Sequence, residues 1–233
     1  MIPLRDTIRA RSFPFVTWLL ILLNTGVFFF EISLTPPQLE RLIRTWGMVP
    51  ARLWTHPGAW FTLLTATFLH GGWMHYLGNM WTLFIFGDNV EDRMGSGRFL
   101  LFYLLGGVVA NGMQAWAYPH SHVPAIGASG SIAAVLGAYF LFYPHARVIT
   151  LVPGFFFPWF VELPAVLYLG IWFFTQLYSG LFALALPAQA SAGGIAWWAH
   201  VGGFLFGLLL GRVFQRRHPA TWHRWYPDEY WPW

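Results

Sequence analysis

Four polar side chains that could take part in catalysis lie within otherwise apolar stretches of the sequence: Ser129, His200, His75 and Asn79. A serine hydroxyl attacks a carbonyl when a neighbouring base accepts its proton, and histidine titrates nearest to neutral pH. The oxyanion that such an attack creates is stabilised by N–H donors, which asparagine, histidine and the main chain can supply. These residue types therefore predict acyl-transfer chemistry, with Ser129 as the nucleophile and His200 as the general base.

The spacing of the polar residues indicates where the donors lie. His75 and Asn79 are four residues apart and so share one face of a helix. Ser129 lies at the predicted start of another helix, where main-chain N–H groups have no helical partner and favour negative charge. We expect His75, Asn79 and the Ser129 main-chain N–H to form an oxyanion hole.

Each of these residues also has a purely structural interpretation. A serine near the start of a membrane helix more often packs or caps, and a histidine inside the membrane can serve a proton relay or bind a metal ion. His75 and Asn79 could form a structural hydrogen bond between helices. The catalytic interpretation depends on finding all four side chains together.

The sequence argues against metal and thiol chemistry. Cysteine is absent, which excludes disulfides, thiol nucleophiles and thiolate metal sites. There is no H-E-x-x-H motif, and His70 and His75, five residues apart, point in different directions on a helix. We therefore expect no metal ion and no cofactor.

The composition indicates an integral membrane protein. Hydrophobic residues make up 57% of the chain and charged residues only 9%, whereas soluble domains carry roughly a quarter charged residues. All thirteen basic residues are arginines, and they are scattered between apolar runs instead of forming a patch. This distribution is typical of topology signals and does not predict a nucleic-acid partner.

Six apolar stretches are long enough, or nearly long enough, to cross a bilayer. They predict an all-α membrane protein, a six transmembrane helix bundle that occupies residues 1–233 as a single domain. A short N-terminal segment precedes the bundle and a tail of about residues 215–233 follows it. The predicted spans are residues 13–34, 72–86, 99–118, 125–143, 163–182 and 195–214.

Arginine placement predicts the orientation of the bundle. Six spans put ten of the thirteen arginines on one side, and the positive-inside rule makes that side cytoplasmic. Both termini would then be cytoplasmic in a multi-pass protein of the cell (inner) membrane. Spans two, four and six enter from outside, so the four polar residues share the outer half of the bilayer. Of the acidic residues only Glu31 and Glu40 fall on that side, which favours a Ser–His dyad over a triad.

Small residues recur at four-residue spacing in two of the predicted spans. Such faces allow helix backbones to approach closely in lipid. We expect spans four and six to pack tightly through Gly130, Ala134 and Ala138 and through Gly203, Gly207 and Gly211.

The polar residues and their surroundings resemble the motifs of the rhomboid family of intramembrane serine proteases. The matching segments are His70-x4-His75-x3-Asn79, Gly127-Ala128-Ser129-Gly130 and Ala199-His200-Val201-Gly202-Gly203. The resemblance implies that Ser129 is the nucleophile, that His200 is the general base and that His75 and Asn79 donate to the oxyanion. It also implies that Gly127 belongs to the nucleophile loop and that His70 organises the first outer loop by hydrogen bonds.

The resemblance implies a serine-type endopeptidase that cleaves membrane proteins in or near their transmembrane segments by a Ser–His dyad. Its partners would be transmembrane protein substrates and the lipid bilayer. An alternative is a catalytically inactive rhomboid-like protein that binds membrane helices, which the presence of both Ser129 and His200 disfavours. A transporter with histidine relays is a third reading, but the chain lacks paired intramembrane acids.

Three positions depart from the family pattern. Phe61 and Thr62 stand where the family often has Trp-Arg, and Ala133 stands where an aromatic side chain often packs on the catalytic imidazole. Another side chain must then support His200. We also expect span five and residues 183–194 to form a gate and cap, with Trp172 or Phe173 as a wedge.

Overall fold

The computed structural model describes residues 1–154, 157–185 and 194–216. In chain order its elements are β1 (Ile2–Asp6), α1 (Phe15–Ser33), α2 (Pro36–Trp46), α3 (Pro50–Thr55), α4 (Thr62–Thr65), α5 (Trp73–Met94), α6 (Ser96–Ala117), α7 (Ser129–Phe142), β2 (Arg147–Val152), β3 (Trp159–Pro164), α8 (Ala165–Ala185) and α9 (Trp197–Phe214).

The predicted bundle is confirmed, since six helices correspond to the six apolar stretches. Four of them, α1, α6, α8 and α9, are long and apolar enough to cross a membrane by length and composition, and α7 is a shorter apolar helix. The remaining helix, α5, corresponds to the second predicted span. It continues to Met94, beyond its predicted end at residue 86, and its last turns carry charged side chains. Helix α7 begins at Ser129 instead of residue 125, because Ala125 pairs with Met48 and Gly127 donates to the carbonyl of Ala66.

The long segment between α1 and α5 is partly helical. It contains α2, α3, α4 and two short 3₁₀ helices, Pro57–Phe61 and Ala66–Phe68. A capping box starts α2, because the main-chain N–H and hydroxyl of Thr35 both donate to Gln38 Oε1, over 2.9 and 2.8 Å. The segment is held to the loop before α7 by two hydrogen bonds between Met48 and Ala125 of 3.1 and 2.8 Å.

A three-stranded antiparallel sheet lies at one end of the bundle and was not predicted. Its order is β1-β2-β3, with Ile2 opposite Leu151 and Val148 opposite Leu163. The pairing of β1 with β2 joins residues nearly 150 positions apart, which no local pattern reveals. We call the end of the bundle with the sheet and the α5–α6 turn the sheet end, and the end with residues 35–72 and 118–128 the loop end.

Helices α7 and α9 are in backbone contact, as their small residues predict. A Cβ added at Gly203 or Gly207 would collide with the main-chain carbonyl oxygens of Gly130 and Ala134, respectively. The reverse holds at Gly137, where a Cβ would collide with the carbonyl of Phe204. Any larger side chain at these positions would push the two helices apart.

A buried glutamate joins α5 to the start of α1. Glu91 accepts hydrogen bonds from the main-chain N–H groups of Val16 and Thr17, over 2.9 and 2.8 Å, and from the Thr17 hydroxyl, over 2.8 Å. The Ser96 hydroxyl donates to Glu91 Oε1, the oxygen that also accepts from Val16, over 2.6 Å. The carboxylate thus pairs with N–H groups that the first turn of a helix cannot satisfy itself.

A second acidic residue, Asp6, ties the sheet to the bundle. Its Oδ2 accepts hydrogen bonds from the Tyr139 hydroxyl, over 2.5 Å, and from Asn89 Nδ2, over 2.8 Å. Burial raises the pKa of Asp6 from 3.8 to about 8, the Tyr139 hydrogen bond opposes this rise, and the nearby Asp88 carboxyl adds to it. Asp6 therefore holds its proton more tightly in the folded protein than in the unfolded chain.

We predict that the raised pKa of Asp6 makes the protein less stable as pH rises. The stabilisation is complete below the unfolded pKa of 3.8 and is lost as pH passes through the folded value of about 8. The melting temperature in detergent should fall between about pH 5 and pH 9. Asp6→Asn keeps an acceptor for Tyr139 but cannot titrate, so its melting temperature should vary less. Glu40→Gln, at an exposed site, should behave as wild type, and an Asp6→Asn curve parallel to wild type would contradict the prediction.

Candidate active site

The structure brings the two candidate catalytic residues into direct contact. His200 Nε2 lies 2.8 Å from Ser129 Oγ. Ser129 is the first residue of α7 and His200 lies in the first turn of α9, so the backbone contact between these helices sets the distance. His200 is buried, with 9% of its surface exposed, so little water reaches its ring to replace the hydrogen bond with Ser129.

The His75 imidazole lies beside Ser129 and has a defined tautomer. Its Nδ1 accepts the main-chain N–H of Gly71 over 3.2 Å, so the neutral ring carries its proton on Nε2. That Nε2 faces Gly127, where an added Cβ would lie 2.6 Å from it. Gly127 has φ +128°, a conformation that only glycine adopts easily, and it leaves the space between His75 and Ser129 open.

Asn79 lies one helical turn after His75 on the same face of α5. It is buried, and its Nδ2 has no hydrogen-bond partner within the part of the chain that the structure describes. Buried amide groups are rarely left unpaired, and an unpaired one calls for a reason. Asn79, His75, Ser129 and His200 all line one cavity, so a ligand in it could pair with this amide.

The cavity lies between α5 and α8. Its walls include Met74 and Gly78 of α5 and Trp172 and Phe182 of α8, and residues 117–126 close the loop end. Most of the predicted cap, residues 186–193, falls outside the described residues. The arrangement provides a cleft between two outer helices that leads to Ser129.

His70 lies next to the site but makes no side-chain hydrogen bond with any described residue. Its ring packs edge-on against Phe28, His75 and Tyr76, with centroid distances of 6.3, 5.4 and 5.6 Å. Its main-chain N–H instead donates to both carboxylate oxygens of Glu31, over 3.1 Å each. The end of the segment between α1 and α5 is therefore anchored here through Glu31 and ring packing.

The structure shows two neighbours of His200, Gln176 and Trp172, that were not expected from the sequence to contact it. Gln176 Oε1 lies 2.8 Å from His200 Nδ1, and the Trp172 ring lies 5.8 Å from the imidazole, centroid to centroid. Both belong to α8. An amide within an otherwise apolar span is a costly residue in a membrane, and that signal could have identified Gln176.

Among the residues that the structure describes, no acid takes the third place beside His200, whose Nδ1 meets Gln176 Oε1. Glu31 is bound to the His70 main chain and Glu40 pairs with Arg44 on the surface, over 2.9 Å. Across residues 1–154, 157–185 and 194–216 no group of three His, Cys, Asp or Glu side chains could hold a metal ion. The chemistry open to this arrangement is attack by the serine hydroxyl with an imidazole base.

Comparison with known proteins identifies the family. A family model described as "Rhomboid domain" matches residues 57–217, more than half of the chain. The chain belongs to the rhomboid family. The helical bundle and its apolar spans accordingly make it a multi-pass membrane protein with a rhomboid domain.

Several curated relatives share part of this domain. The chain is 33% identical over 129 residues to the putative rhomboid protease YdcA of Bacillus subtilis (strain 168), covering 55% of this chain and 62% of that protein. It is 37% identical over 126 residues to the rhomboid protease GluP of the same organism, covering 54% and 24%. The mitochondrial presenilin-associated rhomboid-like protein of Homo sapiens is 29% identical over 176 residues, covering 69% and 41%. The chain thus spans less than two thirds of the length of each of these relatives.

The unpaired amide of Asn79 generates a test of the oxyanion hole. Asn79→Ala should slow reaction at Ser129 by about 10²–10³-fold, the usual cost of one oxyanion donor, while His75 and the main chain limit the loss. The measurement is the rate constant for labelling by a fluorophosphonate, which forms an oxyanion-like adduct on serine. Asn24→Ala, at a buried asparagine of α1 remote from the cavity, controls for the loss of a buried amide. Equal rates for Asn79→Ala and wild type would contradict the assignment.

Proposed function

We propose that this protein is a serine endopeptidase that cleaves peptide bonds in or near the transmembrane segments of other membrane proteins. The observation that carries the proposal is the 2.8 Å hydrogen bond between Ser129 Oγ and His200 Nε2 in a cavity that also holds His75 and Asn79. Two of the relatives are named as rhomboid proteases, which supports the same activity. An inactive rhomboid-like protein would have no need for a base in contact with a serine.

The geometry suggests how each residue acts. His200 Nε2 accepts the Ser129 proton as Oγ attacks the scissile carbonyl, and the new oxyanion accepts hydrogen bonds from Asn79 Nδ2, His75 Nε2–H and the Ser129 main chain. The imidazolium then donates its proton to the leaving amine, which leaves an acyl-enzyme. A water molecule, deprotonated by His200, attacks the ester carbonyl, and proton return from the imidazolium to Ser129 Oγ releases the carboxylic acid product.

The position of the cavity suggests what the substrate is. The cleft lies between α5 and α8, and a chain in the bilayer could reach Ser129 by passing between these two helices. A helix hides its carbonyl groups in its own hydrogen bonds, so the substrate must unwind at the bond that is cut. We infer a transmembrane protein with an easily unwound segment, and the family resemblance adds a preference for small residues at the cut.

The dyad makes a direct prediction. Ser129→Ala and His200→Ala should each abolish cleavage of a single-span substrate and labelling by a fluorophosphonate. The double variant should cost little more, since members of one catalytic unit are not additive. Tm in detergent should show that the variants are folded.

Ser131 provides the matched control for Ser129. It lies two residues further along α7, and its hydroxyl faces away from the cavity towards α6, where a Cβ at Gly107 would collide with it. Ser131→Ala should keep most of the activity and all of the labelling. Cleavage that survives Ser129→Ala would overturn the proposed mechanism, and a wild type that neither labels nor cleaves would favour the inactive alternative.

We further propose that the sheet end faces the cytoplasm of a cell (inner) membrane, with both termini inside. The chain contains no cysteine, so single cysteines report the orientation without background. His122→Cys, exposed at the loop end, should react with an impermeant maleimide in intact cells. Gly97→Cys, exposed at the sheet end where an added Cβ meets nothing within 4 Å, should react only after permeabilisation. The reverse pattern would place the active site on the cytoplasmic side.

A further inference from the structure

Helix α8 presents one polar side chain to the bundle at the level of His200. The buried residues of α8 are Ala165, Tyr168, Leu169, Gln176 and Gly180, and Gln176 is 7% exposed. Phe174, two residues before it, is 66% exposed and faces away from the bundle, whereas Tyr178 is 72% exposed and lines the cavity. A glutamine buried in a membrane span is costly unless its hydrogen bonds are satisfied.

The hydrogen bonds of Gln176 fix which way its amide points. Its Nε2 donates to the Trp172 carbonyl over 3.2 Å and to Thr175 Oγ1 over 3.1 Å. Thr175 Oγ1 can accept because its own proton goes to the Trp172 carbonyl over 2.6 Å. With both N–H groups of the amide directed to oxygen atoms of α8, the amide oxygen is the atom that faces His200 Nδ1, at 2.8 Å.

An amide oxygen can only accept, so this contact requires a proton on His200 Nδ1. A neutral imidazole with its proton on Nδ1 has its lone pair on Nε2, the atom next to Ser129 Oγ. That is the tautomer a general base needs, and in serine proteases an aspartate at the same nitrogen selects it. Here a neutral amide occupies that place.

On the basis of the proposed function, we propose that Gln176 is a positioning residue of the catalytic unit, which holds His200 in the tautomer and orientation that accept the Ser129 proton. Trp172 completes the support from one turn earlier on α8. Its ring lies 5.8 Å from the imidazole at an interplanar angle of 35° and 6.1 Å from Phe204. The Trp172 ring thus packs on the imidazole as an aromatic side chain at position 133 often does in the family. Ala133 itself has a small side chain that lies against Gly203 of α9.

The test compares Gln176→Leu with Gln176→Glu. Leucine has a similar size but no acceptor, so kcat should fall by about 10–10³-fold with little change in KM, since loss of the correct tautomer costs about 10⁴-fold where the partner is ionised. Glutamate restores an acceptor oxygen at the same place and should recover most of that loss. When ionised it also stabilises the imidazolium, so the acidic limb of the pH profile should move to higher pH. Among the described residues, His75 of α5 is the titratable side chain whose charge acts on His200, and it is unchanged in every variant.

Phe174→Leu is the matched control, because it shortens a lipid-facing side chain on the same helix and should leave kcat and the pH profile unchanged. Fluorophosphonate labelling of Ser129 separates this inference from the proposed function. If the wild type is labelled and Gln176→Leu is labelled at the same rate with the same pH profile, the role of Gln176 is overturned while the proposed function stands. A wild type that fails to label would overturn the proposed function, and the inference with it. If Gln176→Leu does not fold, Gln176→Glu decides by its pH profile, and a profile identical to wild type counts against the proposal.

Discussion

The backbone contact between α7 and α9 is the constraint on which the site depends. Lipid tails give no hydrophobic driving force between membrane helices, so close packing of small residues has to hold them together. Gly203 lies one turn after His200 and rests on the carbonyl of Gly130, the residue after Ser129. The contact therefore sits next to Ser129 and His200, the two proposed catalytic residues, and their 2.8 Å hydrogen bond depends on it. A methyl group at Gly203 would separate Ser129 from His200 without touching either side chain.

The proposed oxyanion donors, His75 and Asn79, are held by a different set of contacts, between α5 and α1. Glu91 attaches the sheet end of α5 to the first turn of α1, and Glu31 binds the main chain of His70 just before α5 begins. Between them the ring of Phe28 stacks on Tyr76, next to His75, with centroids 4.4 Å apart. Helix α5 is thus fixed along its length, which holds His75 and Asn79 at the cavity that Ser129 also lines. Glu31 also anchors the end of the segment between α1 and α5, in which Phe61 and Thr62 stand in place of the Trp-Arg pair often found in the family.

The sequence predicted those parts of the structure that depend on composition and on helical spacing. Six apolar runs predicted the six helices, and four-residue spacing predicted the contact between α7 and α9 and the shared face of His75 and Asn79. It did not predict the sheet, because Ile2 and Leu151 pair across most of the chain. It also missed the partners of His200, since the amide of Gln176 reaches the imidazole only after α8 is packed against α9. Sequence reasoning finds the residues that react more readily than those that orient them, because the former need a rare chemical type and the latter only a suitable position.

The position of Gln176 and Trp172 changes the expected behaviour of the gate. The sequence suggested that Trp172 or Phe173 wedges α8 shut, so that its removal would speed substrate entry. In the structure the Trp172 ring lies on His200, and the amide one turn later binds its Nδ1. If α8 is the gate, its outward movement as a rigid body would admit substrate and at the same time separate His200 from Gln176 and Trp172. Under the proposed mechanism, entry and catalysis are compatible if the helix moves only beyond Gln176, where Ser179 and Phe182 line the cavity, or if it closes again before Ser129 attacks. In either case the proposed gate helix would also determine whether the proposed Ser129–His200 dyad is ready to react.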